Sequence, residues 1–170
     1  MDVEVAGETG WANITLRHRN DKTIALLERN PVLPGELGQE ELDEFVEDVK
    51  DAKPASAARW LVDYLPRMNT IYAFQLLSGT DVDDGWSAVY ALQNCIWSNG
   101  GGILQADHVG FSNDSGDHIL WQFGNHAKGS RGMAVLNANG SWSRFEMNLG
   151  NPRHRSAFLA GRVPEGVKLL

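Results

Sequence analysis

Cysteine occurs once, at Cys95, which excludes an internal disulfide and a multi-cysteine zinc site. No apolar run approaches the roughly 20 residues needed to cross a bilayer. The opening segment MDVEVAGETG has neither a basic stretch nor an apolar one, so no secretory leader is expected there and the expected location is cytoplasmic. The three N-x-S/T sequons, at Asn13, Asn113 and Asn139, then carry no weight. The chain also lacks a G-x-x-x-x-G-K-[ST] phosphate loop and a G-x-S-x-G nucleophile turn. Gly100-Gly101-Gly102 follows a helical pattern and precedes a strand, the reverse of the order that aims a helix N-terminus at phosphate, and reads as a helix stop.

Outside one stretch the charges of the chain cancel in sum, 14 acids against 14 bases. Between Glu36 and Asp51 stand eight acids (Glu36, Glu40, Glu41, Asp43, Glu44, Glu47, Asp48, Asp51) and one base, Lys50, which together account for the whole formal charge of −7. A concentrated acidic face on a balanced body favours basic partners and repels nucleic acid. Within Gln39 to Ala52, Leu42, Phe45, Val46 and Val49 recur at i, i+3, i+4 and i+7, so a helix is expected with one apolar stripe and acids over the rest of its surface. Acids in its last turn oppose the helix macrodipole by a few tenths of a kcal/mol each. A solubilising surface is the competing reading.

Residues 11–19 and 23–29 alternate as two strands around a turn at Asn20-Asp21, and 30–38, with two Pro and two Gly, reads as a loop. Pro54 opens a second helix that Pro66 ends. Thr70 to Leu77 is almost continuously apolar and reads as a central strand covered on both faces. Trp86 to Trp97 reads as the most buried helix, capped by Asp83 or Asp84, with Cys95 as a buried, inert thiol. A meander follows: Ile103–Phe111, His118–Phe123, Met133–Asn137 and, after the Asn139-Gly140 turn, Trp142–Met147. Asn151 caps a last short helix starting at Pro152 and ending at Gly161. The order ββ-αα-β-α-ββββ-α predicts a single α+β domain over 1–170, with an antiparallel or mixed sheet of about six to seven strands, helices mainly on one side, and flexible ends at 1–10 and 165–170.

Residues that carry chemistry are few. Asp107, His118 and His126 are an imaginable metal set, but nothing in their spacing demands it. Asp81-x-Asp83-Asp84-Gly85 starts like a calcium loop, yet its glycine comes early and no Glu closes it. Five histidines and many serines permit triads on paper, and Glu146 with Asp107 a carboxylate pair, without selecting any. Gln105, Asp107, His118 and Trp121, set among apolar strand residues over 103–123, could line a ligand groove, while one wet sheet face explains them equally. The last 27 residues are basic (Arg144, Arg153, Arg155, Arg162, Lys168) and could dock beside the acidic helix.

The expectation is therefore a non-enzymatic cytoplasmic domain whose Glu40, Glu41, Glu44, Glu47, Asp48 and Asp51 bind a basic protein partner, as an immunity or toxin-neutralising protein does. No catalytic residue, metal or cofactor is assigned, and neither nucleic acid nor membrane is expected as a partner. The alternative is a small-ligand protein or hydrolase-type enzyme using Gln105, Asp107, His118 and Trp121. A homo-oligomer is a third reading.

Overall fold

The computed structural model describes residues 2–6, 12–19 and 21–170, with the backbone alone over 2–6. The sequence readings on Trp11 and Asn20, and those on residues 1 and 7–10, fall outside them. The chain divides into two compact units, 1–43 with 67–101 and 44–66 with 102–170.

The first unit holds a four-stranded antiparallel sheet in sequence order: β1 (Asp2–Ala6), β2 (Asn13–Arg17), β3 (Thr23–Pro31) and β4 (Thr70–Leu76). Its register pairs Ile14 with Leu27, Leu16 with Ala25 and Leu27 with Phe74. Alternation along each strand therefore puts these five side chains on one face. The helix Gly85–Gly100 packs Ala88 and Val89 into the Leu16, Ile24 and Ala25 cluster, with Phe74 against it. Gly79, in the 3-10 turn after β4, lies directly on the Thr23–Ile24 backbone. The 85–100 helix is preceded by Asp84 with φ +66, whose side chain makes no cap bond.

That expected side-chain cap is therefore missing, and three further expectations fail in this unit. β4 is an edge strand rather than a central one, and Tyr72 and Leu76 are 37% and 42% exposed. The 85–100 helix buries only Gly85, Ala88 and Val89, while Trp86 and Tyr90 stack on one another at 45% and 55% exposure. Cys95 is exposed rather than buried. In each case an uncharged apolar sequence turns half its surface to solvent, which composition alone does not reveal.

The second unit contains α2 (Ala55–Tyr64), β5 (Leu104–Ala106), β6 (Gly110–Ser112), β7 (Ser130–Leu136), β8 (Trp142–Asn148), α4 (Pro152–Leu159) and β9 (Lys168–Leu169). The helix of the first unit is thus α3, and α1 (Leu37–Val49) runs across the point of division. β5 and β6 form a two-stranded sheet, and β7, β8 and β9 a three-stranded one. Met133, Val135, Phe145 and Met147 alternate inward and close on Phe158 of α4, with Trp121 and Phe123 packed around them. The Asn151 side chain accepts the N–H groups of Arg153 and His154, with Pro152 in the first turn, as its sequence implies.

The protein is thus mixed α+β, but its strands form three small antiparallel sheets instead of one sheet of six to seven. The expected 103–111 strand breaks at Asp107-His108, where His108 has φ +62 and Gly110 φ +92. The expected 118–123 strand reduces to bridges at His118. There the Asn113 side chain takes the N–H groups of Ser115 and Asp117, closing a tight loop. The Trp121 N–H goes to the Lys53 carbonyl instead of a strand neighbour (2.8 Å).

Candidate functional site

Helix α1 is anchored by its apolar stripe. Leu42 and Val49 are buried, and half-buried Phe45 meets the Phe111 ring edge-on at 5.7 Å. At 100° per residue, the six acids inside the helix occupy the opposite arc of about 160°. Seven of the eight acids are exposed, and Glu41 is half-buried. Lys50 pairs with Glu47, and the Gln39 amide donates to Asp43 at 2.8 Å. Among the described residues, Glu36, Glu40, Glu44, Asp48 and Asp51 have no cationic partner. The helix stops at Val49, so Asp51 lies just beyond it. Its last turn contains no base, leaving the dipole cost of those acids uncompensated.

The second set is split. Gln105 sits on β5 with its amide nitrogen 3.5 Å from Oδ1 of exposed Asp107. His118 and Trp121 meet around Phe123, at ring distances of 5.0 and 5.3 Å. The Trp121 ring also faces Phe158 and lies under the Arg155 guanidinium at 4.3 Å. No hydrogen bond or ring contact among the described residues joins the Gln105–Asp107 pair to the His118–Trp121 pair.

His118 Nδ1 is 3.2 Å from the Ser112 hydroxyl. Burial, then the charge of Arg131, lowers its pKa below the ordinary value, and Asp117 partly opposes them. Ser112 itself is buried, which keeps it from acting as an attacking group. Beside this pair, buried Asp117 is held by Arg144 across the sheet. Sequence reasoning missed that ion pair, because partners 27 positions apart in the chain leave no periodic signal.

Among the described residues, no three His, Cys, Asp or Glu gather closely enough to hold a metal ion, so Asp107, His118 and His126 do not form a centre. Among the same residues no helix is long and apolar enough to cross a membrane. Compared with known proteins, the chain matches no family model, no curated protein and no solved structure.

Proposed function

We propose that this chain is a cytoplasmic, non-enzymatic protein-binding domain that offers the acidic arc of α1 to a basic protein, and that toxin neutralisation is one concrete use of such a surface. The observation that supports this reading is the exposure of Glu40, Glu44, Glu47, Asp48 and Asp51 without neutralisation by the chain's own arginines. Had the C-terminal arginines covered them, the charge would be spent internally. A like-charged surface repels phosphate backbones, so nucleic acid is not the partner. Packing of the opposite stripe fixes the helix, so a partner meets a preformed anionic surface and association is steered electrostatically.

The test is capture from native-host extract by the wild type and by the triple variant Glu40→Lys, Glu44→Lys, Glu47→Lys. At about 20 mM salt the variant should lose a basic protein that the wild type retains, and the wild type should release it near 300 mM as screening shortens. Equal capture by both proteins at low salt refutes the proposal. A ligand site around Gln105, Asp107, His118 and Trp121 keeps one point in its favour, the half-buried His118 whose pKa burial lowers. The division of those four residues into two separate pairs counts against it.

A further inference from the structure

In the first unit, β4 is an edge of the four-stranded sheet, and among the described residues no strand takes its outer side. We infer that it pairs there with β4 of a second copy of this chain, antiparallel about a two-fold axis beside Ala73, with Thr70 of each copy opposite Leu76 of the other.

The backbone is the first ground. The β3–β4 register runs from Ala25–Leu76 to Pro31–Thr70 without a shift. Just beyond its two ends, Leu77 N–H bonds Ile24 O and Val32 N–H bonds Asn69 O. Bonding alternates along an antiparallel pair, so the odd-numbered residues of β4 bond β3 and the even-numbered ones turn their groups outward. Among the described residues, the main-chain groups of Thr70, Phe74 and Leu76 have no partner. An axis beside Ala73 sets Thr70 against Leu76, both with outward groups, so that pair exchanges two bonds and symmetry supplies the second pair.

The side chains are the second ground. Natural edge strands are blunted by charge, by proline or by a bulge, because an open one is a template for pairing. Thr70 to Leu77 contains no charged residue and no proline, and β4 runs without a bulge. Alternation puts Tyr72 and Leu76 on the face of Phe74, which packs against the Leu16, Ile24 and Ala25 cluster. Tyr72 and Leu76 nonetheless remain 37% and 42% exposed. In the proposed register Phe74 stands opposite Tyr72, an aromatic cross-strand pair, and the apolar face of one sheet continues into the other.

A second copy fits this edge better than a peptide or the opposite edge does. A free peptide must be ordered on binding, whereas β4 is already held extended by β3. The other edge strand, β1, reads DVEVA, and the like charges of Asp2 and Glu4 disfavour pairing with its own copy. Two chains of −7 each approach most easily along a strand that carries no charge. One strand pair covers less area than a standard interface, so the dimer is weak and depends on concentration.

The full chain is followed by sedimentation velocity from low micromolar to several hundred micromolar concentration, and its mean mass should rise from one chain toward two. Thr70→Lys with Leu76→Lys brings like charges together at both ends of the seam and should hold the protein at one chain throughout. Thr70→Glu with Leu76→Lys makes both ends attractive and should recover the dimer, which also shows that Leu76→Lys leaves the fold intact. A wild type that stays a single chain, a dimer that survives in the double lysine variant, or equal behaviour of the two variants overturns the inference. Assemblies larger than two overturn the two-fold register. None of these outcomes depends on whether α1 binds a protein.

Discussion

Glu44→Lys is expected to make this protein more stable and less able to bind its partner. Glu44 lies mid-helix in α1, exposed, one turn after Glu40 and one turn before Asp48. Like charges four residues apart on a helix repel, and opposite charges attract, by about 0.2–0.5 kcal/mol per pair. The substitution removes two repulsions and creates two attractions, one of them the favourable Glu-before-Lys order with Glu40. The gain totals about 0.8–2 kcal/mol, or about 2–8 °C in the midpoint for a chain of this size. The macrodipole contributes little at mid-helix. Calorimetry at about 20 mM and 500 mM salt should show the gain at low salt and its shrinkage at high salt, since exposed pairs are screened. A lowered midpoint, or a gain indifferent to salt, would refute the claim that α1 bears an electrostatic cost. Partner capture should fall in the same variant, which distinguishes a surface kept for binding from one kept for solubility.

Two further outcomes follow from the packing. Burial, then the charge of Arg131, lowers the folded pKa of His118 below the unfolded value of about 6.5. The unfolded chain takes up its proton first on acidification, and the associated stability is complete above about pH 6.5 and is lost as pH falls below it. His118→Asn, which keeps a hydrogen-bonding group for Ser112, should flatten the midpoint-against-pH curve below about pH 6.5; an unchanged slope would assign it to other groups. At Gly79, an added Cβ would fall 2.6 Å from the Thr23 carbonyl carbon and 2.7 Å from the Ile24 nitrogen, both main-chain atoms of β3. Gly79→Ala should cost about 1–3 kcal/mol by denaturant titration, and a loss under about 0.5 kcal/mol would show that the strand gives way easily.

Local signals in the sequence were reliable where one short segment contains its own partners. The Leu42–Val49 stripe, the Asn139-Gly140 turn and the Asn151-Pro152 cap each specify an element through neighbours three or four residues away. What was illegible depended on which distant surface covers an element. TIYAFQL at 70–76 reads as a doubly covered strand, yet β3 pairs with one side only and, among the described residues, no strand takes the other. Apolar spacing on α3 continues past Val89, so Cys95 looked internal although the buried part of the helix ends earlier. The break at Asp107-His108 was readable as turn chemistry and was outweighed by flanking apolar residues. Of the candidate site, the acids and their arc were visible in advance, whereas the turn that splits Gln105 and Asp107 from His118 and Trp121 depends on backbone bonds to distant strands.

The short segment at Asp117–Ile119 has a further consequence. His118 N–H bonds Gly132, His118 O accepts Ala134 N–H, and Ile119 N–H bonds Phe111, so three residues act as a peg between two pairs of strands. Chain length at that peg is frozen, because one inserted residue would move every bond to the wrong carbonyl. Asn125-His126, a few positions later and exposed, faces no such constraint. An epitope or fluorophore tag belongs there, where the loop can lengthen without re-threading the strands beside it.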